Sequence, residues 1–78
     1  MTLNQRRHHT VSKIIERHGI SSMIELGCSE GELLLRMSRA ECVDLLVGVD
    51  IDKEVIKRAS KNVVTEPIQN DIQWHRKK

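Results

Sequence analysis

The sequence predicts an α/β fold: the leading half of a doubly wound parallel sheet, left incomplete within 78 residues. Three observations carry this expectation. Helix-period segments alternate with short apolar runs in the order helix, strand, helix, strand, helix, the pattern of βαβ units with right-handed crossovers. A glycine-bearing turn, Gly27-Cys28-Ser29-Glu30-Gly31, sits where the first strand gives way to a helix. Length sets the bound, since 78 residues fall below the ~100–200 usual for one domain and exclude a second. One βαβ unit also leaves unpaired edges and one uncovered apolar face.

Each element has its own grounds. From Leu3 to His18 no Gly or Pro intervenes, and Val11, Ile14, Ile15 and His18 recur at helical spacing, with Gly19 suited to end the helix. Met23, Ile24 and Leu26 form a short run between Ser22 and Gly27 that suits a strand, with Glu25 inside it. A carboxylate buried there costs several kcal/mol unless it is paired or near the strand's open end, so its position asks for a reason. Ser29 and Glu32 have the Ser-x-x-Glu capping-box form, which predicts a helix from Ser29 or Glu30 to about Arg39.

Leu45-Leu46-Val47-Gly48-Val49-Asp50 is a nearly continuous apolar run, as in a strand buried on both faces. Asp52 caps a third helix from Lys53 to about Asn62, with Val55, Ile56, Ala59 and Val63 facing inward. Beyond Pro67, Ile68, Ile72 and Trp74 are compatible with a third strand or a loop. The expected organisation is an N-terminal helix over 1–20, a βαβα core over 21–62 and a tail over 63–78.

Thirteen basic and 11 acidic residues give a formal charge of +2, too balanced to argue for nucleic acid by charge alone. Arg6, Arg7, His8 and His9 crowd the start, and Arg76, Lys77 and Lys78 close the sequence; both read as solvated charge runs. One Trp and no Phe or Tyr supply few large core anchors, and Trp74 reads as a packing residue. Cys28 and Cys42 are too few for a disulfide framework, and no stretch resembles a secretory signal, so the expected setting is reducing and cytoplasmic. No apolar run approaches the ~18 residues of a membrane span. The two Cys and four His lack zinc-ligand spacing, and no metal site is expected.

The chemistry converges on the carboxyl ends of the strands, where open α/β sheets bind ligands. Gly27 lets the chain turn out of the strand, Gly31 lets the next helix pack closely, and the turn's N–H groups are expected to face the cleft. Asp50 closes strand two 19 positions after Gly31, about where an acidic residue grips the hydroxyls of a nucleoside ribose. Ser29 replaces the middle glycine of a dinucleotide fingerprint, which disfavours a pyrophosphate. Cys28 reads as a small turn residue, because a catalytic thiol needs a base partner.

Glu25-Leu26-Gly27-Cys28-Ser29-Glu30-Gly31 resembles the first motif of class I S-adenosylmethionine-dependent methyltransferases, acidic-apolar-Gly-x-Gly-x-Gly, with Ser29 at the middle glycine. The resemblance implies a Rossmann-like methyltransferase fold and a cofactor site of Glu25, Gly27, Cys28, Gly31 and Asp50. It further implies that Glu25 orders the turn and the methionine portion and that Asp50 holds the ribose. Leu45 to Asp52, with the helix starting near Gln5-Arg6, further resembles the start of the Hen1 family, which methylates the 2′-hydroxyl at the 3′ end of small RNAs.

That closer resemblance implies a small RNA substrate. It also implies a divalent metal, Mg or Mn, held in the full-length enzyme by Glu and His residues beyond Lys78, so catalytic residues are not assigned within this chain and the chain alone is expected to be inactive. Asp71 is left out of the cofactor site. Two alternatives stand beside it: a truncated, catalytically inactive nucleoside-binding or interaction module, and a nicotinamide-cofactor enzyme.

Overall fold

The computed structural model describes residues 2–63, 65, 67–68 and 71–76. Its elements run α1 (Leu3–His18), β1 (Ser22–Leu26), α2 (Glu32–Met37), β2 (Leu45–Val49), α3 (Lys53–Val63), β3 (Pro67–Ile68) and β4 (Asp71–His75). The Lys77-Lys78 end of the basic run lies outside the described residues.

Local chemistry fixes the helix ends. Thr2 caps α1 in a capping box, its hydroxyl accepting from the Gln5 N–H while its own N–H donates to Gln5 Oε1 at 2.8 Å. At the other end Gly19 adopts φ 61°, the left-handed conformation that closes a helix at little cost to glycine. α3 begins as expected, with Asp52 Oδ1 accepting from the Glu54 N–H at 3.0 Å.

α2 differs from expectation. Its cap is Gly31 at φ 81° without a side-chain hydrogen bond, and it spans Glu32–Met37 rather than 29–39. Ser29 cannot cap it, because the residue is itself left-handed at φ 54° and its N–H is bonded to Asp50 Oδ2 at 3.1 Å.

The sheet has the strand order β1-β2-β4-β3. β1 and β2 pair in parallel through the α2 crossover, with Ile24 opposite Val47 and Glu25 opposite Gly48. The segment that is strand-or-loop by sequence forms β4, which lies antiparallel on β2 with Leu46 opposite Trp74 and Gly48 opposite Ile72. The sheet is therefore mixed, an incomplete Rossmann-like arrangement whose parallel part is the β1–β2 pair.

One face of the sheet is covered. Leu46 and Ile72 join Leu34, Met37, Ile56, Ala59 and Val63 in a single core, with Trp74 and Met23 packed at its margin. On α1, Ile15 and Ser12 are buried while Ile14 is half-exposed and His18 exposed, so the inward stripe is rotated from the expected one. Among the described elements α1 packs mainly on α2, and Ile14 lies away from the buried core. The opposite sheet face is open: Ile24 is 67% and Leu26 81% exposed, and Leu45, Val47 and Val49 are only partly covered. β2 is thus buried on one face rather than two.

Arg76 also departs from the solvated-tail reading. Its guanidinium donates to the carbonyls of Val43 at 2.8 Å, Ser38 at 3.3 Å and Ala40, and lies 5.3 Å from the Trp74 ring centroid. Trp74 is held as a packing residue by these contacts.

Candidate functional site

The turn after β1 is tied to the end of β2 by its backbone. The N–H groups of Gly27 and Cys28 both donate to the Val49 carbonyl, at 2.7 and 3.0 Å, while that of Gly31 donates to Cys28 O at 3.1 Å. Asp50 receives the Ser29 N–H on Oδ2 and the Asp52 N–H on Oδ1 at 3.0 Å. Four N–H groups expected to face a ligand are therefore spent inside the protein, and they make the turn rigid instead.

The glycines divide the work. Gly27, at φ 72°, has open space where a Cβ would stand, so conformation alone selects it. Gly31 is selected twice: its φ is 81°, and a Cβ there would come within 3.1 Å of Val63 and 3.3 Å of Ala59. It brings α3 against the turn and lies behind the cleft.

Gly48 in β2 is the residue sequence reasoning passed over. A Cβ there would meet Cys28 Sγ at 2.9 Å and the Leu34 side chain closer still, so the buried Cys28 of the turn is seated on a strand position without a side chain. A glycine inside an otherwise continuous apolar strand is the signal for such an approach.

A cleft of about 160 Å³ opens in front of the turn. Glu25, Gly27, Cys28 and Ser29 line it, joined by Glu30 and by Glu32 and Leu33 of α2. Asn4 and His8 of α1 complete the wall, a contribution absent from the sequence expectation. Of the expected cofactor residues the cleft thus brings together Glu25, Gly27 and Cys28, while Asp50 borders the turn from β2 and Gly31 supports it. No sequence signal marks Asn4 and His8, because only the docking of α1 brings them to the turn.

Burial shapes the chemistry. Glu25 Oε1 is buried and, among the described residues, has no hydrogen-bond partner. Desolvation raises the Glu25 carboxyl to about 7. Burial, then the negative charges of Glu25 and Asp50, push the Cys28 thiol up to about 11, so it stays protonated near neutral pH and is no nucleophile. That agrees with its reading as a small turn residue. Among the described residues no group of three or more His, Cys, Asp or Glu could hold a metal ion. Among the described residues no helix is long and apolar enough to cross a membrane.

An unpaired, half-buried carboxyl thus stands beside a rigid strand-to-helix turn, and known proteins share the frame. A family model described as "Putative methyltransferase" matches residues 20–76. The small RNA 2′-O-methyltransferase of Mus musculus is 36% identical over 52 residues, 67% of this chain and 13% of that protein. The one of Xenopus tropicalis is 34% identical over 56 residues, 72% of this chain and 15% of that protein.

In three dimensions the chain matches the methyltransferase domain of bacterial CtHen1-CN with a TM-score of 0.72 and 32% identity, over 81% of this chain and 32% of that one. The chain spans roughly an eighth of the length of the first of these relatives, at 13%. Methyltransferases of this kind in general use S-adenosylmethionine as the methyl donor. With the family model covering most of its length and the fold of a Hen1 methyltransferase domain beneath it, the chain belongs to the methyltransferases.

Proposed function

We propose that this chain forms the cofactor-binding part of a Hen1-like small RNA 2′-O-methyltransferase, seating S-adenosylmethionine along Glu25, Gly27 and Cys28, with Asp50 on the ribose. The observation that carries the reading is the buried, unpartnered Glu25 Oε1 in a cleft otherwise walled by a rigid turn. A buried carboxyl of this kind is costly on its own and becomes favourable when a cation reaches it. The methionyl end offers two cations, an ammonium and the sulfonium.

The cleft suits part of the ligand rather than all of it, since pockets that enclose a drug-sized molecule hold about 300 Å³ or more. The nucleoside therefore extends over the open surface toward Asp50, where Ile51, 97% exposed, supplies an apolar surface for a base.

When bound, the cofactor supplies an electrophilic methyl on sulfur. The residues of this chain contribute positioning: the Gly27–Gly31 turn is fixed by its bonds to Val49 and Asp50, which is how a scaffold lowers the entropic part of a transfer barrier. A small RNA as acceptor is supported by the names of the relatives and by their identity over the matched segment. A divalent metal at the acceptor belongs to the same proposal for the whole enzyme; the described residues do not fit one, and no step is assigned to it. Two free cysteines accord with a cytoplasmic setting.

Calorimetric titration of the chain with S-adenosylhomocysteine tests the proposal. Saturable binding at micromolar to submillimolar ligand, weakened at least fivefold by Asp50→Ala, is expected. Silence at millimolar ligand overturns it, and tighter binding of a nicotinamide dinucleotide moves the chain to another class.

A further inference from the structure

The cleft is strongly one-sided in charge. Glu25, Glu30 and Glu32 line it, and among the described residues neither Lys nor Arg does. Arg58 is drawn off to Glu30 at 3.2 Å, on the exposed surface. Such a wall suits the ammonium and sulfonium of an S-adenosyl amino acid but opposes the carboxylate on the same carbon as the ammonium. That carboxylate needs hydrogen-bond donors, and the glycine turn has most of its own engaged: the N–H groups of Gly27, Cys28, Ser29 and Gly31 are bonded within the protein. α2 is six residues long and capped by a left-handed glycine.

The Ser29 hydroxyl at the turn and two side chains of α1 supply donors at the cleft wall. Asn4 and His8 are one helical turn apart on α1, so they present to the same side, and both line the cleft. Neither side chain hydrogen-bonds to another described residue, whereas their neighbours on the helix do: Gln5 is held by Thr2, and His9 Nδ1 accepts from Arg36 at 3.0 Å. The capping box fixes the first turn of α1, and the Arg36 contact ties its middle to α2, so the Asn4–His8 face is held in place over the cleft. Asn4 offers an amide N–H and His8 a ring N–H, both suited to a carboxylate.

We propose that Asn4 and His8 form the subsite for the carboxylate of the cofactor's amino-acid end, making α1 a specificity element of the site. This rests on the cofactor reading above. It separates the ligand's two halves: the nucleoside is read by the β2 end, the amino acid by α1 and Glu25.

Calorimetry of the full chain with two probes tests it. S-adenosylhomocysteine carries the amino-acid end, and 5′-methylthioadenosine has the same nucleoside and sulfur without it. His8→Ala and Asn4→Ala are each expected to weaken S-adenosylhomocysteine about tenfold, the loss of one hydrogen bond to a charged group. Their affinity for 5′-methylthioadenosine stays at the wild-type value, which also shows that the variants fold. His8→Gln, which keeps an N–H donor, restores most of the loss. Variants whose two affinities keep the wild-type ratio overturn the subsite while leaving the cofactor reading intact. A wild-type chain that binds neither probe overturns both.

Discussion

Glu25 holds its proton more tightly in the folded chain than in the unfolded one, with a value near 7 against 4.5, and desolvation is the cause. Folding therefore favours the protonated form. The stability this supplies is complete below about pH 4.5 and is lost as pH rises through about 7. Because the group is only half-buried, solvent screening reduces the effect to about 1–2 kcal/mol. Chemical denaturation at pH 5 and pH 8 should show that fall in the wild type and a flat profile over the same window in Glu25→Gln. A cationic ligand acts in the opposite direction, stabilising the carboxylate, so affinity for S-adenosylhomocysteine should climb as the same proton leaves.

Gly48 makes the sharpest demand at this scale. A methyl group there collides with Leu34 and with Cys28 Sγ, both in the core, so Gly48→Ala should cost about 1–3 kcal/mol by overpacking and shift the turn out of register with Asp50. A lowered denaturation midpoint with weakened ligand binding is the expected pair of results; unchanged values for both refute the seat.

At the scale of elements, the loop between α2 and β2 is organised by a residue from the far end of the chain. Arg76 bonds to the carbonyls of Ser38, Ala40 and Val43, its N–H donates to Asp44 O at 2.9 Å, and its flat guanidinium covers Trp74. Three carbonyls lose a charged donor in Arg76→Ala, so a loss of about 2–3 kcal/mol is expected, roughly 10 °C or more in Tm for a chain of this size. Arg76→Lys should recover little, because an ammonium cannot span three acceptors in a plane. Differential scanning fluorimetry of both variants checks this.

The same elements show what could be read beforehand. β1, β2 and α3 follow directly from apolar runs, a helical stripe and the Asp52 cap, and Glu25, Gly27 and Cys28 were legible because they are contiguous in one motif. The direction of β4 was not, since a five-residue run carries no sign of parallel or antiparallel pairing. The start of α2 misled because Ser29-x-x-Glu32 has the letters of a capping box while Ser29 sits at φ 54°. Asn4 and His8 escaped notice because their partners at the turn are distant in sequence and met only through packing.

For the molecule as a whole, the unequal treatment of the two sheet faces decides its behaviour in solution. α2 and α3 cover one face, while on the other Ile24 and Leu26 of β1 stand 67% and 81% exposed beside the half-covered Val47 and Val49. Among the described strands β1 is also an edge strand, paired with β2 on one side only. The opposite edge is blunt, for β3 has two residues and one of them is Pro67. An apolar patch continuous with a free edge is the combination that favours self-association in water.

Sedimentation velocity should therefore show concentration-dependent association of the chain over the micromolar range. Ile24→Lys tests the cause at the centre of the patch: it places a charge on the edge strand at a position that packs against nothing in the core, so the fold is kept while association weakens severalfold. A chain that sediments as a monomer throughout, or an Ile24→Lys variant that associates as strongly as the wild type, shows that the open face is not what brings the copies together.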